Sequence, residues 1–139
     1  MKVYKGIINK LENNQIFVFG SNTQGRHGKG SALFARQKFG AIYGQPKGLQ
    51  GQSYAIVTKD LKKRKHPSIK SSDIIDQIKE LYLFAKENSE LEFVVAYSGT
   101  KENLNGYLNQ EMADMFSNIE IPKNIIFEYE FYKLIKNCN

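Results

Sequence analysis

The residues of this chain best placed to do chemistry form a glycine loop, Gly25-x-x-Gly28-x-Gly30, within the stretch IFVFGSNTQGRHGKGSALFA (Ile16–Ala35). Glycine backbones reach conformations that other residues avoid and approach a ligand closely. Where such a loop opens a helix, free N–H groups and the positive end of the helix dipole point at one spot, a setting suited to phosphate. The spacing is not the dinucleotide fingerprint G-x-G-x-x-G. It is not a Walker A loop either, because no Gly-Lys-Ser/Thr occurs. A strand-to-helix connection needing glycine for geometry alone has the same composition, so the spacing leaves both roles open. A second glycine-bearing stretch, Ser98-Gly99-Thr100 with Gly106 further on, has a similar character.

Other reactive side chains are sparse. The two histidines, His27 and His66, lack metal-ligand spacing. His27 lies within the glycine loop, where a general acid or base would be useful, but it has no partner in the sequence and reads first as part of the loop. The single cysteine, Cys138, allows no intrachain disulfide and no zinc cluster. No metal and no resident cofactor are expected. The run Lys62-Lys63-Arg64-Lys65 is the strongest charge feature. A solvated loop is the simpler reading, and a phosphate-steering or nucleic-acid patch is the sharper one. No aromatic is interleaved within the run, which argues against a base-stacking platform there.

The 139 residues suffice for one domain, expected to span 1–139. Apolar residues at 41% and charged residues at 24% are ordinary for a globular chain, and nine phenylalanines with eight tyrosines can fill a core. The net charge of +6 favours anionic partners without choosing among them. The opening MKVYKGIINK has no long apolar run, so neither a signal peptide nor a membrane span is expected, and a reduced, cytoplasmic setting is the default. Oligomeric state is not legible.

The elements that must position these residues alternate along the chain. Val3–Leu11 suggests a strand or one helical turn. Ile16–Phe19 is a run of β-formers expected to be covered on both faces and stopped by Gly20-Ser21-Asn22. Ser31–Phe39 reads as a helix ended by Gly40, and Gly44–Gly51 as a loop. Ser53–Thr58 is a strand whose end, Thr58-Lys59-Asp60, puts polar side chains where open α/β sheets usually bind ligands. Ser72 is expected to cap a helix reaching Lys86, with Asp73 and Asp76 in its first turn and an apolar stripe through Ile74, Ile78, Leu81, Tyr82 and Ala85. Phe93–Tyr97 is a third strand. Leu108, Met112, Met115 and Phe116 mark another amphipathic helix, and Asn124–Glu128 a last strand. Phe131, Leu134 and Ile135 suit a short terminal helix, although alternation through Phe127, Tyr129 and Phe131 would equally extend the strand. This order predicts a three-layer α/β/α sandwich with a mixed, mainly parallel sheet. The two glycine-bearing loops would then meet at one sheet edge and form a ligand pocket.

With those residues in place, the chain resembles a macro domain, the fold that binds ADP-ribose and related NAD-derived compounds. Lys5-Gly6-Ile7-Ile8-Asn9-Lys10-Leu11 is similar to that family's K-G-D-I-T-x-L, and Val18-Phe19-Gly20-Ser21-Asn22 to its V-N-A-A-N. Gly28-Lys29-Gly30-Ser31-Ala32-Leu33 resembles its first ligand loop. Ser98-Gly99-Thr100 followed by Gly106-Tyr107 resembles its second phosphate loop, with an insertion. Gly28–Gly40 and Tyr54–Lys59 look closest to the lysine-dependent class of terminal ADP-ribose glycohydrolases. Small bacterial and phage proteins carrying F-V-F-G-S-N and G-L-Q-G-Q-S-Y-A-I are also similar.

The resemblance implies a binder of ADP-ribose or a related nucleotide, with an ADP-ribosyl glycohydrolase and a basic nucleic-acid-binding protein as alternatives. It implies ligand contacts from Gly20, Ser21, Asn22, Gly28, Lys29, Gly30, Ser98, Gly99, Thr100, Gly106 and Tyr107. In the hydrolase class a lysine attacks the ribose anomeric carbon and an aspartate assists. Lys59 stands at the lysine position, while Glu102 and Asp60 are the nearest carboxylates. A nucleophilic lysine must be partly deprotonated, through burial or nearby positive charge such as Lys62, Lys63 and Arg64. A solvent-facing lysine at a strand end is the plainer alternative. One departure bears on specificity: the family's adenine-reading aspartate is Ile7 here, which cannot accept a hydrogen bond from the adenine amino group.

Overall fold

A computed structural model of the protein describes residues 2–136, so Cys138 lies outside the described residues. The centre is a six-stranded sheet in the order β1-β6-β5-β2-β4-β3. Its strands are β1 (Val3–Tyr4), β2 (Gln15–Asn22), β3 (Gly48–Gln50), β4 (Ser53–Lys59), β5 (Glu92–Val95) and β6 (Ile125–Glu128). All neighbours are parallel except β3, which pairs antiparallel with β4. Four helices, α1 (Gly30–Lys38), α2 (Ser71–Glu87), α3 (Asn109–Phe116) and α4 (Tyr129–Lys136), complete the α/β fold.

The two faces of the sheet follow from the two-residue alternation of strand side chains. Ile16 and Val18 of β2, Tyr54 and Ile56 of β4, and Phe93 and Val95 of β5 enter one apolar cluster with α2, α3 and α4. The intervening Phe17, Phe19 and Ala55 enter a second cluster with Ala32, Ala35 and Phe39 around α1. Helices therefore cover both faces. Among the described residues α1 is the one helix on its side, and Ile8 and Leu11 of the irregular segment after β1 add to the cover there.

Several expected boundaries move for identifiable reasons. β2 does not stop at Gly20 but runs to Asn22, because β4 continues beside it and pairs Gly20 with Ile56, Ser21 with Val57 and Asn22 with Lys59. The expected loop Gly44–Gly51 contains β3, recruited by the free edge of β4 (Gly48 to Ala55, Gln50 to Ser53). Tertiary pairing overrides the loop composition in both cases. Only Val3–Tyr4 of Val3–Leu11 is a strand. The cap position of α2 is Lys70, not Ser72. The end of the described chain is the helix α4 rather than a longer strand.

The topology also positions the site. β2 is the first long strand, and the chain continues to β4 on one side of it and later to β5 on the other. Loops leaving the carboxyl ends of β2, β4 and β5 therefore diverge around a crevice, the usual ligand position in open α/β sheets.

Candidate functional site

The loop after β2 is shaped by Asn22. Its side-chain Nδ2 donates to the Arg26 carbonyl at 2.8 Å, and its Oδ1 accepts the N–H groups of Arg26 (2.9 Å) and Gln24 (3.3 Å). An asparagine at a strand end is suited to folding back on its own turn in this way. Most of its hydrogen-bonding capacity thus goes to building the loop. Thr23 ties the loop to β4, its N–H donating to the Lys59 carbonyl at 3.0 Å and its hydroxyl to Asp60 Oδ1 at 3.3 Å. Beneath the loop, His27 is fully buried with its ring edge-on to Phe19. Its Nε2 lies 3.2 Å from Ser21 Oγ, and its Nδ1 has no partner among the described residues. Burial first, and the Arg36 charge second, hold its pKa below the ordinary histidine value.

The loop leads into α1, whose start at Gly30 has neither a side-chain cap nor an acidic residue in the first turn. The first N–H groups of a helix have no partner within it, so such an end is receptive to an anion.

The loop after β5 is anchored by Glu128 at the end of β6. One carboxylate oxygen, Oε1, accepts the N–H groups of Glu130 (3.0 Å), Phe131 (3.2 Å) and Gly99 (3.4 Å). The same side chain thus caps α4 and holds the loop against it. Ser98 Oγ accepts the Lys101 N–H at 3.1 Å, and Asn105 Oδ1 accepts the Tyr107 N–H at 2.8 Å.

These loops enclose one side of a cavity of about 680 Å³ on the α1 side of the sheet. Of the expected site residues, Gly20, Ser21, Asn22, Gly28, Lys29 and Gly30 line it from β2 and the loop beyond. Lys59 lines it from the end of β4, and Ser98, Thr100 and Glu102 from the loop after β5. Four expected residues lie off this wall. The Asp60 carboxylate is turned into its own loop, where Oδ1 also accepts the Lys62 N–H at 3.0 Å. Tyr107 sends its hydroxyl to the Ile69 carbonyl at 2.5 Å. Gly99 and Gly106 serve close backbone approach: a Cβ on Gly99 would fall 2.5 Å from the Glu130 carbonyl carbon, and one on Gly106 2.5 Å from that of His66.

Ile7 and several residues not singled out in the sequence complete the wall. Arg26 and Lys101, both exposed, also line it, and with Lys29 and Lys59 they make four cations against the two carboxylates of Glu102 and Glu128. Ile7, 70% exposed, and Leu104, 57% exposed, offer apolar surface. Tyr97 contributes a buried hydroxyl with no well-formed hydrogen bond. Burial pushes that hydroxyl up to about 12, against the opposing influence of the adjacent Thr58 and Asn105 side chains. Burial and then the Glu128 charge likewise raise the pKa of Tyr4, whose hydroxyl donates to the Val95 carbonyl at 2.6 Å. The available signal for Tyr97 and Glu128 was their position, at or just beyond the carboxyl ends of parallel strands.

Among the described residues, no group of three or more His, Cys, Asp and Glu is arranged to hold a metal ion, and no helix is long and apolar enough to cross a membrane. No family model matches the chain, and neither does any curated protein or solved structure.

Proposed function

We propose that the cavity binds ADP-ribose or a related NAD-derived nucleotide. The observation that carries this reading is the convergence of two glycine-bearing loops and the uncapped start of α1 on one net-cationic cavity. A diphosphate needs such donors: backbone N–H groups at a helix start, supplemented by Lys or Arg. The macro domain resemblance supports the same ligand class. Ile7 on the wall gives the base an apolar contact in place of a hydrogen bond to the adenine amino group. Isothermal titration with ADP-ribose, NAD and ADP tests the reading. Saturable one-to-one binding is expected for at least ADP-ribose, and absence of heat or thermal stabilisation with all three overturns it.

A second reading is favoured by Lys59 and Glu102 lining the same cavity. In an ADP-ribosyl glycohydrolase the Lys59 amine would attack the ribose anomeric carbon. The bond from that carbon to the acceptor would break, the departing acceptor would take a proton, and water would then release ADP-ribose from the lysine. Lys59→Ala is expected to abolish turnover of an ADP-ribosylated substrate while leaving ADP-ribose affinity within a few-fold. Wild-type turnover in that variant removes lysine catalysis.

A further inference from the structure

The loop that follows Lys59 is the third side of the cavity mouth. Leu61 lines the cavity, and the chain turns directly from it into Lys62-Lys63-Arg64-Lys65, all four exposed. The turn is built firmly. Asp60 Oδ1 accepts the Lys62 N–H at 3.0 Å, the Asp60 carbonyl accepts the Lys63 N–H at 3.1 Å, and the Asp60 N–H donates to Ser68 Oγ at 2.8 Å. At its far end, His66 Nδ1 lies 2.8 Å from Ser68 Oγ, and the His66–Pro67 backbone packs on Gly106. Gly106 is the neighbour of Asn105, itself on the cavity wall. The basic run is therefore a fixed feature of the rim, joined to the wall at both ends.

Among the described residues, no ion pair consumes the charge of this rim. The ion pairs among the described residues are Lys2–Glu92, Lys47–Glu80 and Lys133–Glu130, and none takes a cation from the run or from the cavity wall. A free mononucleotide would engage the wall and leave the run in solvent. A ligand with further phosphates beyond the cavity would engage both.

We propose that the physiological ligand is the end of a single-stranded nucleic acid, its terminal nucleotide in the cavity and its following phosphates on Lys62–Lys65. This rests on the nucleotide reading of the cavity and adds the partner to it. Phosphate contacts by Lys and Arg release counterions, so their signature is a steep fall of affinity with salt. The cavity gives the preference for an end, since a terminal nucleotide enters it with one backbone connection to accommodate and an internal one with two. The run reads no sequence: it has no aromatic for stacking and presents charge alone.

The test compares ADP-ribose with a 5′-phosphorylated single-stranded octanucleotide, on wild type and on the variant carrying Lys62→Gln, Lys63→Gln, Arg64→Gln and Lys65→Gln. The wild type is expected to bind the oligonucleotide tighter than ADP-ribose, with an affinity that falls about 50-fold between about 50 and 200 mM salt if four phosphates are engaged. ADP-ribose is expected to displace the oligonucleotide. The variant is expected to lose the tighter binding and most of the salt dependence while keeping wild-type affinity for ADP-ribose, which also certifies its fold. An oligonucleotide that binds no tighter than ADP-ribose, or equally well to the variant, overturns the inference and leaves the cavity reading standing. Oligonucleotide binding that ADP-ribose does not displace also overturns it, making the run a separate surface. Failure of ADP-ribose, NAD and ADP alike to bind overturns the cavity reading and this inference together.

Discussion

Gly28 is on the cavity wall, yet nothing in the fold requires glycine there: its φ is not positive, and a Cβ on it meets nothing within 4 Å. Gly28→Ala is therefore expected to leave stability unchanged, or to raise it by about 0.4–1 kcal/mol by restricting the unfolded chain. The added methyl projects where a ligand would lie, and ADP-ribose affinity is expected to fall several-fold or more. A thermal melt and a titration on the same sample separate the two effects. His27 makes a different prediction. Its pKa is lowered in the fold by burial and by Arg36, so below the unfolded value of about 6.5 the unfolded chain holds the proton more tightly. Stability contributed by the neutral ring is complete above about pH 6.5 and is lost as pH falls below it, at up to about 1.4 kcal/mol per pH unit. Chemical denaturation of wild type and His27→Gln between about pH 7.5 and 5.5 checks this, the expectation being a shallower pH slope in the variant. Neither property was legible from residue type. The sequence marks Gly28 and His27 as members of one loop, but only the packing makes one dispensable to the fold and buries the other. Asn22 is similar: its position was legible, whereas its use in shaping the turn depends on where Arg26 and Gln24 come to rest.

At the scale of elements, the connection from β6 to α4 does the most to hold the second loop. The Glu128 side chain is almost fully buried and accepts three backbone N–H groups, two from the start of α4 and one from Gly99. Glu128→Ala leaves those donors without their acceptor and is expected to cost about 2–4 kcal/mol, measured by urea denaturation. Glu128→Gln, which keeps an acceptor oxygen but removes the charge, is expected to cost less. The same contact explains why the terminal segment is a helix. Alternation through Phe127, Tyr129 and Phe131 allowed either state, and the buried carboxylate stabilises the helical one by capping it. The apolar runs of β2, β4 and β5 and the stripe of α2 were legible because they are local patterns. β3 was not, because three residues within a glycine-rich segment become a strand only when an edge of the sheet lies beside them.

At the scale of the molecule, the loops after β2, β4 and β5 share one cavity; Thr23 ties the first two through Lys59 and Asp60, and Gly106 of the third packs on the His66–Pro67 backbone. A ligand bound there is expected to slow amide hydrogen exchange in 23–29, 59–61 and 98–106 together. It is also expected to stabilise the fold by about 2.7 kcal/mol when present at 100 times its dissociation constant. Exchange mass spectrometry with and without ADP-ribose measures this, and protection confined to one loop would contradict a shared site. The amino-acid sequence by itself determined the alternation of strands and helices, the layered α/β architecture and the two loops with glycine chemistry, since each depends on residues near one another along the chain. Tertiary structure alone decided that both loops face one cavity. It also turned Asp60 and Tyr107 away from that cavity and brought Glu128 and Tyr97 to it. Those outcomes depend on strand order and on hydrogen bonds between distant segments, which no local pattern encodes.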